Sequence, residues 1–138
     1  MSKTQMFKAN QDEPPIPKPK EPVQPNIVTV QDGILKKYTD CDGIGVRVVH
    51  PTNPKAPSKN MSLVMFYVPP HAELKPSGHY VEECYAILRG QGTMTLAGKK
   101  VKVQAGMFVH LPPWCEHGVK NTGSEMLEIM ICTAPPNP

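Results

Sequence analysis

The sequence predicts a small all-β domain, a barrel or sandwich, preceded by an extended proline-rich arm. Eight short apolar runs follow Asn26, turn residues separate them, and the residues before Asn26 are rich in proline. At 138 residues the chain is long enough for one domain with its own core and too short for two ordinary ones. We therefore expect an arm over residues 1–25 and one folded domain over residues 26–138.

The arm has many prolines and few apolar side chains, so it cannot bury enough surface to offset the entropy lost on ordering. Its prolines are Pro14, Pro15, Pro17, Pro19, Pro22 and Pro25. A flexible tail and an extended strand laid on a partner subunit are both compatible with this composition. The sequence leaves both open.

The apolar runs place the predicted strands. They cover residues 27–30, 46–49, 62–68, 84–88, 93–96, 101–103, 107–111 and 126–132. Ala97 and Gly98 separate two of these runs as a hairpin turn would. The expected interior is apolar, with lining candidates Met65, Tyr67, Tyr85, Ile87, Phe108 and Met130.

The segment at residues 79–88 is ambiguous. Val81, Cys84, Tyr85 and Leu88 fall at the i, i+3, i+4 and i+7 spacing of an amphipathic helix. A strand is the alternative, but four residues of straight strand span roughly 13 Å. His79 and Glu83 are of the residue types that bind metals. If residues 79–83 formed such a strand, these two side chains could bind the same metal ion only with a bend at residues 80–82.

Composition excludes several classes of function. The net charge of +3 is mild, and the basic residues are scattered, so we expect no nucleic-acid partner. No apolar run approaches the roughly 20 residues that span a bilayer, so we expect no membrane partner. The 4 cysteines show no CxxC spacing, and no signal peptide is evident, which favours reduced thiols in a cytoplasmic protein.

Two stretches resemble the paired motifs of the cupin family, G-x5-H-x-H-x3,4-E-x6-G and G-x5-P-x-G-x2-H-x3-N. In the second stretch Gly106, Pro112, His117 and Asn121 match, and Trp114 stands at the pattern's inner glycine. The first stretch matches less completely. Its matching residues are His79, Glu83 and Gly90, while Ser77 replaces a histidine and His71 replaces the opening glycine.

The resemblance covers residues 60–132 and implies an antiparallel double-stranded β-helix, or jelly roll, with one divalent metal ion inside the barrel. It also favours the strand, with its bend, over the helix at residues 79–88. Cupin barrels often pair by exchanging N-terminal strands, so we expect a homodimer.

Carried over to this chain, the family's metal ligands are His79, Glu83 and His117. Two imidazoles and a carboxylate suit iron(II) with open positions, and zinc would accept the same set. Manganese is a third candidate. Ser77 could hydrogen-bond a bound water or substrate oxygen. His71 could complete the coordination sphere, act on substrate, or only face solvent.

Further side chains have weaker expectations. Tyr85 should point into the barrel, where it could donate to a substrate, act as a catalytic base, or only pack. Asn121 is expected to brace a turn, and His110 to sit in the core. Lys75 is expected to be exposed, and Cys115 to be structurally indifferent.

Two functions remain open. The first is a metal-dependent enzyme that acts on a small organic substrate chelating through two oxygens, by oxygenation, isomerisation or elimination. The second is a non-catalytic barrel that binds or senses a small molecule and carries a vestigial metal site, which the replacement of a histidine by Ser77 would favour. Fold alone does not choose between them.

Overall fold

The protein folds into two antiparallel sheets packed face to face, as seen in a computed structural model that describes residue 4 and residues 16–137. The strands are β1 (Ile34–Lys37), β2 (Ile44–Val49), β3 (Ser62–Val68), β4 (Glu73–Ser77), β5 (Glu82–Arg89), β6 (Gln91–Leu96), β7 (Lys99–Gln104), β8 (Phe108–Leu111), β9 (His117–Lys120) and β10 (Leu127–Ala134). The larger sheet has the order β1-β2-β3-β10-β5-β8, and the smaller has the order β4-β9-β6-β7. The predicted all-β jelly roll is confirmed.

The core lies between the inner faces of the two sheets. Strands β3 and β10 alternate strictly between buried and half-buried residues, as expected when one face of a sheet is covered. The inward residues of the larger sheet include Val64, Phe66, Ile129 and Ile131. Because side chains alternate along a strand, this register decides which residues can line a cavity.

Four of the residues predicted to line the interior lie on the outside of the larger sheet. Met65 and Tyr67 alternate with the buried residues of β3 and lie on the outer face, as Met130 does in β10. Phe108, at the start of β8, is 76% exposed. Only Tyr85 and Ile87 of the predicted set are buried inside. Apolar character alone could not assign the face, because both faces of this sheet carry apolar residues.

The strand prediction also missed some elements. Residues 27–30 are not a strand; a 3-10 turn occupies Val30–Asp32, and β1 follows it. Strands β4 and β9 were not predicted because their sequences, ELKPS and HGVK, lack a run of β-branched or aromatic residues. Both lie in the small sheet, and β9 carries the second site histidine.

Two residues that replace family glycines adopt the backbone conformation that favours glycine. His71 has φ of 72° and Trp114 has φ of 69°, and the matching glycines Gly90 and Gly106 also have positive φ. These four positions are therefore turns that need a left-handed residue. At residues 71 and 114 the family's glycine therefore reflects the need for a positive φ, and it does not mark a side chain that acts on a ligand.

Most of the predicted arm, residues 1–3 and 5–15, lies outside the described residues. Residues 16–27 are exposed and contain no helix or strand. In the described part of the chain, no helix has the length and apolar character needed to cross a bilayer.

Candidate metal centre

The bend predicted before Glu83 brings the first two site residues together. Residues 78–81 form a loop with bends at Tyr80 and Val81, and β5 begins at Glu82. The ambiguous segment is thus a strand with a bent entry and not a helix. As a result, His79 Nε2 lies 2.8 Å from Glu83 Oε1.

The third residue arrives from the opposite sheet. His117 opens β9, and its Nε2 lies 2.9 Å from the same Glu83 oxygen. The loop before β9 is tied to the loop before β5, because the Trp114 amide donates to the His79 carbonyl at 2.7 Å. The ligand atoms of His79, Glu83 and His117 all lie within 4.8 Å of one another. The structure therefore brings together the three residues that the motifs predicted.

Both imidazole rings are oriented by backbone carbonyls. His79 Nδ1 lies 3.1 Å from the Val81 carbonyl, and His117 Nδ1 lies 2.9 Å from the Cys115 carbonyl. A carbonyl oxygen only accepts, so each Nδ1 carries the proton, and in the neutral ring each Nε2 presents a lone pair. This is the arrangement that orients histidine ligands in metal sites.

The donor set fits a divalent cation. Glu83 is buried, and its Oε1 accepts no well-directed hydrogen bond although two ring nitrogens lie close to it. With both rings neutral, three electron-pair donors converge on one position. A buried carboxylate facing two lone pairs is costly, and a metal ion at the shared position would satisfy all three atoms.

The electrostatics of His117 reflect its contact with the carboxylate. Burial lowers the pKa of His117, but the Glu83 carboxylate and the hydrogen bond to the Cys115 carbonyl outweigh burial, and the net pKa is raised. A bound cation would cancel the influence of Glu83 on the pKa of His117, because it would itself neutralise the carboxylate.

The three residues form one wall of a cavity of about 190 Å³. The cavity is lined by Tyr38, Thr39, Val64, Phe66, Leu74, Ser77, His79, Glu83, Tyr85, His117, Ile131 and Asn137. The Tyr85 ring packs edge-on against His117, with centroids 5.7 Å apart. Tyr85 therefore lies beside the three candidate ligands, as its place two residues after Glu83 predicts.

Several lining residues were not predicted from the sequence, among them Tyr38 and Asn137. Tyr38 follows β1 and packs edge-on against Phe66, with ring centroids 5.9 Å apart. Asn137 reaches the cavity because Thr133 holds its backbone: the Asn137 amide donates to Thr133 Oγ1 at 3.0 Å, and the Thr133 hydroxyl donates to the Asn137 carbonyl at 2.9 Å. Neither residue belongs to a motif, so no signal in the sequence could have found it.

The remaining candidates fall in different places. Ser77 is the register partner of His117 and lines the cavity. His71 is exposed in the turn before β4, at the opposite end of that strand from Ser77, and does not line the cavity. The interpretation of His110 as a core residue is wrong, because its side chain is 61% exposed and bonds to Glu82. Lys75 is exposed, as predicted.

Sequence and structural comparisons agree on the family. The model of the cupin domain matches residues 64–133, half of the chain. The chain belongs to the cupin family. An uncharacterised protein of Methanocaldococcus jannaschii is 34% identical over 112 residues, which cover 80% of this cupin and 88% of that protein. Auxin-binding protein 1 of Arabidopsis thaliana is 33% identical over 76 residues, which cover 49% of this chain and 38% of that protein.

Solved structures share the fold at low sequence identity. The polyketide cyclase RemF of Streptomyces resistomycificus superposes with a TM-score of 0.70 at 16% identity, over 81% of this cupin and 80% of that chain. A predicted oxalate decarboxylase of Thermotoga maritima gives a TM-score of 0.67 at 20% identity, over 79% of this cupin and 98% of that chain. These likenesses concern the fold alone.

Replacing Ser77 with histidine is expected to tighten zinc binding by about 10-fold or more, because position 77 lies opposite His117 and a third imidazole could reach the same ion. Zinc titration of the metal-free protein measures this. The control is His71→Gly, which changes a histidine position away from the cavity and should leave zinc affinity unchanged. Equal affinity of Ser77→His and the unmodified protein would show that residue 77 does not face the metal.

Proposed function

We propose that this cupin is a metal-dependent enzyme that acts on a small organic molecule chelating through two oxygens. The observation that carries the proposal is the convergence of two imidazole nitrogens and one carboxylate oxygen at the wall of a cavity. Three protein ligands leave coordination positions open on a divalent ion. A bound ion would supply Lewis acidity and, if it were iron(II), a site for dioxygen activation.

The cavity limits the size and polarity of the substrate. A volume of about 190 Å³ lies below the roughly 300–1,000 Å³ of pockets for drug-sized ligands. Val64, Phe66 and Ile131 give it apolar walls. A compact, partly hydrophobic molecule fits this space, and its polar end would lie at the three ligands.

Tyr85 and Tyr38 are suited to donate hydrogen bonds to a substrate rather than to take a proton from it. Burial raises the pKa of Tyr85 well above its ordinary value, with a further contribution from the Glu83 charge. Burial likewise raises the pKa of Tyr38 to about 12. Without a bound cation both phenols therefore stay protonated near neutral pH and can donate to an oxygen of the substrate.

The lack of a tyrosine that can act as a base favours oxygenation over isomerisation and elimination. Besides the three ligands and the two tyrosines, the described lining of the cavity contains no ionisable side chain. Isomerisation and elimination beside a carbonyl need a base that takes a proton at neutral pH. Oxygenation needs open metal positions and an ordered substrate, which this site can offer.

Metal loading and oxygen uptake test the proposal. The full chain is stripped with chelator, reloaded with iron(II), manganese or zinc, and analysed for metal content. The iron form is then screened in an oxygen electrode against small 1,3-diketones, catechols and 2-oxo acids. We expect near-stoichiometric metal and oxygen uptake with one of these classes that is absent from the zinc form. No uptake across the panel would contradict oxygenation.

A ligand-binding barrel is the second candidate. It is favoured by Ser77, which stands where the family pattern has a histidine ligand, and by the likeness to a protein named for auxin binding. Persistent absence of metal after reloading, together with a thermal shift on adding a panel compound, would support this candidate over the enzyme.

A further inference from the structure

Outside the metal centre, two cysteines face each other across neighbouring strands. Cys84 on β5 and Cys132 on β10 are register partners, and both are half-buried free thiols. They lie on the outer face of the larger sheet, because the residues beside them, Glu83 and Thr133, are buried on the inner face. We propose that Cys84 and Cys132 form a reversible cross-strand disulfide, a redox modification site on the outside of the barrel.

The strand geometry permits the bond. Residues directly opposite in an antiparallel pair have Cα atoms about 4.5 or 5.5 Å apart. Both spacings lie inside the range of roughly 4.4 to 6.8 Å that disulfides span. The register is regular from the pairing of Ile87 with Ile129 to that of Glu82 with Ala134, and the bulge between these strands lies beyond this stretch. The two Cβ atoms therefore project side by side from the same face.

The other two cysteines do not form such a pair. Cys41 is buried, and its backbone forms an isolated β-bridge with Leu74. The Cys115 thiol lies in the loop before β9 and donates to the Glu116 carbonyl. Across the strands, Cys132 is flanked by Leu63 and Cys84 by His110. His110 is exposed, so the pair lies next to an open part of the sheet surface that a small oxidant can reach.

The oxidant is a small disulfide such as glutathione disulfide. One cysteine attacks it as the thiolate, forms a mixed disulfide and releases one thiol; the facing cysteine then attacks the mixed disulfide and releases the second. Two electrons and two protons pass from the cysteines to the small disulfide, which becomes two thiols. A dithiol reductant reverses the exchange. The neighbouring pair along the same strands is Glu83 and Thr133, so the bond would fix β5 and β10 next to the metal centre.

Peptide mapping of the oxidised full chain tests the proposal. The protein is incubated with glutathione disulfide, its remaining thiols are alkylated, and the digest is analysed by mass spectrometry. We expect the intact mass to fall by two hydrogen atoms, two thiols to escape alkylation, and the peptides with Cys84 and Cys132 to be linked. Dithiothreitol added before alkylation should restore all 4 free thiols.

Variants separate the pair from single reactive cysteines. Cys84→Ser should leave Cys132 as a stable mixed disulfide with glutathione, whereas the control Cys115→Ser should still form the internal bond. The proposal is overturned if the unmodified protein keeps both thiols, gains glutathione without losing it to an internal bond, or links its cysteines only between chains. The mapping uses the unmodified chain, so it decides the matter even where a variant folds poorly.

Discussion

Replacing His117 with alanine is expected to weaken zinc and manganese binding by about 100-fold or more while the barrel stays folded. His117 would supply one of two nitrogen donors, and it is the only one of the three candidate ligands that lies in the small sheet. The barrel should survive because the ring borders an existing cavity and its loss leaves the sheet pairing of β9 intact. Metal titration followed by circular dichroism measures both effects.

The matched control for this variant is His110→Ala. His110 is also a strand histidine bonded to a glutamate, but it lies on the outside of the barrel. Its removal should leave metal affinity unchanged. Unchanged metal stoichiometry and affinity in His117→Ala would refute the metal centre, and a loss in both variants would point to a general effect on folding.

Replacing Asn121 with alanine is expected to lower the free energy of unfolding by about 3 kcal/mol. Asn121 is fully buried, and its amide nitrogen donates to the carbonyls of Val68 and Glu125 at 2.7 and 2.8 Å. Its side-chain oxygen accepts from the Gly123 amide at 2.9 Å. The substitution leaves three backbone groups at this junction without their partner. The cost is high because desolvated backbone groups are expensive to leave unpaired.

Urea denaturation measures this loss as a lower midpoint at unchanged slope. Ser124→Ala, at an exposed position of the same turn, is the control and should change stability by less than about 0.5 kcal/mol. A loss below about 1 kcal/mol for Asn121→Ala would show that water replaces the bonds. The structure confirms Asn121 as a brace for the turns after β3 and β9, because its backbone also bonds Ala72 and His71.

The sequence by itself determined the fold class and the three converging side chains of the candidate site. Short apolar runs and turn residues are local signals, so β3, a continuous apolar run, was predicted to the residue. His79, Glu83 and His117 were identifiable because their spacing matched two motifs, and the structure places them together. The positive φ at His71 and Trp114 shows that part of the motif records backbone geometry.

Only the tertiary structure decided which face of each strand is inside. Met65, Tyr67 and Met130 are as apolar as their buried neighbours, and a shift of one residue in register exchanges the two faces. The pairing of β5 with β10 places Cys84 opposite Cys132. The fold also brings Tyr38 and Asn137 to the cavity from distant parts of the chain. These relations depend on pairing between residues far apart in sequence, which local composition does not encode.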